Sequence, residues 1–282
     1  MISDTCIDAD GEVGSDFVIS QRWRDYTPDE HARWRTLFAR QAKILVDRAA
    51  PQFLHGVEGF DMASGGIPEF GRLNVILQQR TGWSIVAVPG LVPDEVFFEH
   101  LANKRFPATR FIRRADQMDY IQEPDVFHDI FGHVPMLLNP VFADFMQAYG
   151  RAGLKAMGVG CLENLARLYW YTVEFGLTRT RQGLRIYGSG IVSSRGEVIY
   201  CLEDATPNRV LFDAVRVMRT NYRIDAYQEI YFVINAYEDL FAALKSGMRS
   251  RFTAANDMRC LKPSDHARDD IAVSRNAVRE GG

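Results

Sequence analysis

From Pro124 to Pro135 the chain reads Pro-Asp-Val-Phe-His-Asp-Ile-Phe-Gly-His-Val-Pro. Two imidazoles, His128 and His133, and two carboxylates, Asp125 and Asp129, stand there among apolar side chains. Any fold of this chain must bury that segment and still give each polar group a partner, because an unpaired buried charge is costly. Two hydrogen-bonded histidines in a core helix would meet the demand. A metal ion would meet it too, and two histidines flanked by two aspartates favour the ion. The interval complicates that reading. A zinc-peptidase helix carries its histidines at i and i+4 on one face. Here the interval is five, which splays the rings by about 140° on an ideal α-helix. Convergence on one ion therefore requires a distorted helix or a helix end, and Gly132 and Pro135 supply the means.

Two neutral nitrogens and one carboxylate on one side of an ion leave open positions opposite, the facial arrangement of non-haem Fe(II) oxygenases. Spacing alone does not identify the carboxylate. Glu174 is a candidate because it lies in the aromatic stretch Tyr169-Trp170-Tyr171-Thr172-Val173-Glu174-Phe175, where its desolvation calls for a cation. Glu163 is a rival by the same logic. Asp125 and Asp129 are better suited to orient a ligand than to be one.

Of the 282 residues, 47% are hydrophobic and 24% charged, enough apolar material for a sizeable core. Lys and Arg total 33 against 36 Asp and Glu, a net charge of -3. Without a basic excess, nucleic acid is not an expected partner. The longest apolar run, Ile85 to Val92, is broken by Pro89 and Gly90 and is too short to span a membrane. Cys6, Cys161, Cys201 and Cys260 form no CxxC pair, so a reducing, cytoplasmic setting is expected. Residues 1–20 hold five acidic residues and no Lys or Arg. They resemble no leader peptide and read as a disordered acidic tail.

Thr27-Pro28-Asp29-Glu30 is a capped helix start, and that helix is expected to run toward Ala50. Asp61–Arg72 reads as a loop, Ser84–Val88 as a strand and Pro93–Ala102 as a helix. Asn139 caps a helix that Gly150 is expected to close. Cys161–Phe175 is helical, Gly188 and Gly190 mark a bend, and Val198–Leu202 reads as a strand. Asn208–Arg219 and Tyr237–Met248 read as helices. The expected architecture is mainly α with short β-strands. One compact domain spans 21–250, between the tail at 1–20 and a poorly ordered tail at 251–282. That end lacks an apolar heptad, so a monomer is expected.

Several separated blocks then resemble one family. Pro124-Asp125-x-x-His128 followed by Phe131-Gly132-His133-Val134-Pro135 is similar to the signature of the aromatic amino acid hydroxylases, which use iron and tetrahydropterin. Tyr169 to Leu177, Tyr187 to Ser194, and Thr81-Gly82-Trp83 through Gly90-Leu91-Val92-Pro93 resemble further blocks of it, in order. The similarity runs from about Trp23 to Leu244 and is greatest to the short bacterial members.

The resemblance implies that family's catalytic domain, and a monooxygenase that converts L-phenylalanine to L-tyrosine with O2. His128, His133 and Glu174 would hold Fe(II). Arg113 would pair with the substrate carboxylate, supported by Ser193, while Pro124, Trp170, Phe175 and Gly190 shape the ring pocket. Val88, Leu91, Phe97, Asp129, Ala166 and Tyr169 would form the pterin site, Phe97 stacking on the bicyclic ring. Ile121 stands where animal members carry a threonine that contacts substrate. A pterin carbinolamine dehydratase and a pterin reductase would be functional partners. The alternatives are the same chemistry on tryptophan or at another ring position, a zinc-dependent hydrolase, and a binding module without chemistry.

Overall fold

The computed structural model describes residues 7–8, 11–12, 14–63, 65–158, 160–245 and 248–274. Ile7–Asp8 (β1) and Gly11–Glu12 (β2) pair antiparallel. The rest of the expected tail divides in two. Residues 1–6, 9–10 and 13 lie outside the described residues, whereas residues 16–19 pack on the domain. There, Asp16 C=O meets His100 Nε2 at 2.8 Å and Ile19 N donates to Ala87 C=O at 2.9 Å.

The first long helix, α1 (Pro28–Ile44), starts as expected. Thr27 Oγ1 accepts Glu30 N at 3.2 Å and Glu30 Oε2 accepts Thr27 N at 2.8 Å. It stops at Ile44 rather than near Ala50. Asp47 turns the chain at φ 57, and the next residues serve a strand: Ala50 N donates to Ile186 C=O at 2.7 Å, and Ile186 N to Arg48 C=O at 2.8 Å. Pro51–Gly59 (α2) is a further helix, with Pro51 in its first turn, and Phe70–Arg80 (α3) takes the last residues of the expected loop. Ser84–Val88 (β3) is the expected strand and Asp94–Ala102 (α4) the expected helix. Arg105–Thr109 (β4) pairs parallel with β3.

Pro140–Met157 (α5) passes straight through Gly150. That glycine is a contact point rather than a stop, since a Cβ there would lie 2.4 Å from Ala102 N, on the end of α4. Leu162–Tyr169 (α6) precedes the hairpin Leu177–Thr180 (β5) and Gly183–Ile186 (β6). Ser189–Val192 (α7) and Arg195–Glu203 (α8) follow. Val198–Leu202, read as a strand, thus lies inside α8. Val198 and Cys201, three apart, bury one helical face while Ile199 is exposed, and five apolar residues were too few to show that period. The helix expected over 208–219 is instead Asn208–Leu211 (β7) and then Ala214–Met218 (α9), which Asp213 caps by accepting Arg216 N at 2.8 Å.

Ile230–Ile234 (β8) completes a four-stranded sheet in the order β6-β5-β8-β7, antiparallel between β5 and β6 and parallel elsewhere. Tyr237–Leu244 (α10) and Met248–Asp257 (α11) follow. Residues 251–274, read as poorly ordered, pack on the domain, with Phe252, Ala255, Leu261 and Val273 buried. One continuous core joins Trp34 in α1 to Val273. The mainly helical, single-domain expectation holds.

Candidate active site

A π-helix closes each turn with an i→i+5 hydrogen bond, so residues five apart share a face. Phe127–His133 is π-helical. The interval that would splay two ligands on an α-helix therefore brings them together. His128 Nε2 and His133 Nε2 are 3.1 Å apart. Asp125, buried at the start of this stretch, steadies it by accepting His128 N at 3.1 Å. Gly132 lets α7 approach, since a Cβ there would lie 3.0 Å from Ser189 O. The second ligand segment uses the same device. At its end α6 widens into π-helical Trp170–Glu174, and Glu174 reaches His133 Nε2 at 3.2 Å and His128 Nε2 at 3.6 Å.

Three donors on one side of a first-row dication, at about 2.1 Å and right angles, lie about 3.0 Å from one another. The observed separations fit that arrangement, and among the described residues His128, His133 and Glu174 are the group able to hold a metal. Glu163 is not part of it. It sits on the exposed side of α6, 3.0 Å from Arg167. The tautomer also suits a ligand. Ser193 Oγ donates its single proton to Ser189 C=O at 2.7 Å, so His128 Nδ1, 2.9 Å away, must be the donor to Ser193. Nε2 is left as a bare lone pair. Burial, with His133 beside it, lowers the His128 imidazole to about 4, keeping it neutral. Burial alone would raise the Glu174 carboxyl, but the two imidazoles and hydrogen bonds from His133 and Ser189 hold it at about 2.

A cavity of about 550 Å³ opens against His128 and Glu174. All six residues expected to bind substrate line it: Arg113, Pro124, Trp170, Phe175, Gly190 and Ser193. Trp170 and Phe175 pack ring on ring at 4.7 Å. Gly190 permits their approach, since a Cβ there would lie 2.9 Å from the Phe175 ring. Arg113 is buried. Its Nε and Nη2 fork onto Asp125 at 2.9 and 2.8 Å, which leaves Nη1 without a partner among the described residues. Neighbouring Arg114 is exposed and pairs with Asp116. Asp125, expected to orient a ligand, does so through the His128 backbone at a capping spacing, and its second task, holding the Arg113 guanidinium, has no local sequence signal. Glu197 and Gln228 also line the cavity and carried no local sequence signal.

The expected pterin residues lie outside that cavity's lining. Phe97 meets Tyr169 at 5.7 Å between ring centroids, and Tyr169 stacks on His133 at 6.2 Å, so aromatic rings lead up to the donor set from another side. Asp129 is buried next to His128, where Thr109 N and Oγ1 donate to it at 2.7 and 2.9 Å. Burial raises its carboxyl to about 7. Val88 is buried at the end of β3, and Leu91 and Ala166 are exposed.

A model of the family described as biopterin-dependent aromatic amino acid hydroxylase matches residues 20–256. The phenylalanine-4-hydroxylase of Ralstonia nicotianae is 56% identical over 266 residues, covering 94% of this chain and 85% of that protein. The phenylalanine-4-hydroxylase of Caulobacter vibrioides is 60% identical over 225 residues, covering 80% of this chain and 76% of that protein. The crystal structure of Chromobacterium violaceum phenylalanine hydroxylase with iron and phenylalanine bound matches with a TM-score of 0.88 at 50% identity, over 95% of this chain and 96% of that one.

Proposed function

The chain belongs to the biopterin-dependent aromatic amino acid hydroxylases, and on that premise we propose that it is a phenylalanine 4-monooxygenase, forming L-tyrosine from L-phenylalanine, O2 and a tetrahydropterin at a non-haem Fe(II) site. One observation carries the reading to this substrate. The cavity that reaches His128 and Glu174 has aromatic walls for a ring and a guanidinium for a carboxylate. Iron with open positions and a two-electron pterin donor supply the activation of O2 that an aromatic ring cannot achieve by itself.

His128, His133 and Glu174 hold the metal, and Ser193 fixes which nitrogen of His128 faces it. Arg113 presents Nη1 to the substrate carboxylate while Asp125 keeps the fork oriented. Trp170, Phe175 and Pro124 confine the ring and exclude water, and Gly190 leaves room for it. Phe97 and Tyr169 offer rings against which a flat pterin can stack, with Val88, Leu91 and Ala166 around it and Asp129 as its polar contact. The used pterin returns to its tetrahydro form through a dehydration and a reduction, so a carbinolamine dehydratase and a pterin reductase are functional partners. The protein acts in the cytoplasm as a monomer. Its C-terminal apolar residues Phe252, Leu261 and Val273 are buried in its own domain rather than left for a partner.

The test is product analysis with Fe(II), tetrahydropterin, O2 and either phenylalanine or tryptophan. Tyrosine as the faster product supports the proposal. A hydroxytryptophan or meta-tyrosine as the main product overturns the assignment of substrate or ring position.

A further inference from the structure

Four carboxylates line the cavity, Asp119, Glu174, Glu197 and Asp225. Three have cationic or imidazole partners. Asp119 lies 2.7 Å from Arg40 Nη1, Asp225 lies 3.0 Å from Arg223, and Glu174 faces the two histidines. Glu197 is different. It is 4% exposed, and no cation pairs with it among the described residues. Its Oε1 accepts Gln228 N at 3.1 Å and the Tyr231 hydroxyl. Its Oε2 has no partner among the described residues. Keeping a carboxylate buried without a cation is costly, and Glu197 borders the same cavity as Arg113. An α-amino acid carries a carboxylate and an ammonium, and Arg113 can answer only the first.

We propose that Glu197 receives the α-ammonium group of the substrate, so that Arg113 and Glu197 together read the amino-acid zwitterion. This rests on the phenylalanine reading above. Burial raises the Glu197 carboxyl to about 7, and an arriving ammonium draws it to the charged form. Trp170 Nε1 donates to Gln228 Oε1 at 2.9 Å, so the residue that supports Glu197 also fixes the ring wall.

Calorimetric titration of the iron-loaded protein with phenylalanine and with 3-phenylpropanoate, which lacks the ammonium, tests this. The wild type is expected to prefer phenylalanine by roughly 10–100-fold, the worth of one charge-assisted contact. Equal affinities overturn the proposal, whatever any variant does. In Glu197→Gln the phenylalanine affinity falls to that of 3-phenylpropanoate, whose own affinity does not fall. A preference retained in the variant, or an equal loss for both ligands, overturns it. Tyr231→Phe removes a hydrogen bond from the same carboxylate but not its charge, and keeps the preference. Loss of the preference there assigns Glu197 to loop support and overturns the proposal. A wild type that binds no phenylalanine overturns the functional reading and this inference together.

Discussion

Ser193 has one hydroxyl proton, and Ser189 C=O takes it at 2.7 Å. That small constraint makes His128 donate through Nδ1 and offer Nε2 to an ion. In Ser193→Ala the ring can turn or change tautomer, so iron affinity falls by roughly 10–100-fold, read by competition with a chelator. An unchanged competition curve would mean that another group orients the ring. Glu197 makes a second prediction. Its folded carboxyl, at about 7, lies above the usual value of 4.5. Between those values the folded state holds more proton than the unfolded one, so this group's contribution to stability is lost as pH rises through about 7. Glu197→Gln should therefore gain in melting temperature over the wild type at pH 8 and lose that advantage at pH 5. The same gain at both pH values would trace the effect to packing. Neither role was legible from the residue type. A serine and a glutamate in an ordinary helical stretch gain meaning only from the groups that the fold brings opposite them, whereas His128 and His133 stand out through their apolar company, and Glu174 is separated from its rival Glu163 by the family resemblance and by the fold, which leaves Glu163 beside Arg167 on the exposed side of α6.

The element that makes the site is the π-helical turn. From the sequence, a five-residue interval argued against one helical face, and the need for distortion was legible. The form of the distortion was not, because a π-helical turn has no residue signature of its own, and the close approach of α7 to Gly132 exists only in the folded chain. Short apolar runs failed for a related reason. Val198–Leu202 carries no period, and helix or strand is decided by what packs on it. Gly150 shows the same principle in α5. Read alone it is a stop signal, yet it is the place where α4 and α5 touch. Alanine there would gain about 1 kcal/mol of helix propensity. Its Cβ would also lie 2.4 Å from the backbone of Ala102, and overpacking costs about 1–3 kcal/mol. A backbone neighbour cannot swing aside, so the clash prevails. Gly150→Ala should lower stability by up to roughly 2 kcal/mol, seen as a lower urea midpoint with unchanged iron content. An unchanged or raised midpoint would show that α4 yields.

Across the whole molecule, the last described stretch straps the site's supports together. Leu261 N donates to Arg219 C=O at 2.7 Å, Asn221 N to Leu261 C=O at 2.9 Å, and Val273 N to Arg209 C=O at 2.7 Å, so residues 261–273 bind α9, the turn after it and β7. The strap is locked by Arg216 in α9. Its Nε and Nη2 fork onto Asp270 at 2.8 and 3.2 Å, and Nη2 also reaches Asp265 C=O at 2.7 Å. Both side chains of the pair are nearly buried, at 7% and 10% exposure. α9 in turn anchors α6, because Asn164 Nδ2 and Arg167 Nη1 both donate to Met218 C=O, and α6 runs directly into the turn that carries Glu174. Removing one partner of such a pair leaves the other buried and uncompensated, which costs about 3–5 kcal/mol, whereas replacing both by apolar groups costs far less. Asp270→Ala should therefore destabilise the protein by about that much. Arg216→Met combined with Asp270→Leu should recover most of the loss, the two changes being strongly non-additive. Urea unfolding of Arg216→Met, of Asp270→Leu and of the double variant measures this. Because α9 supports α6, Asp270→Ala should also lose iron to a chelator faster than wild type, under conditions where the protein is still folded. Full stability in Asp270→Ala would make the strap a passive covering. A large loss of stability with iron release unchanged would place the strap's effect on the sheet alone and break the proposed link from Asp270 through α9 and α6 to Glu174.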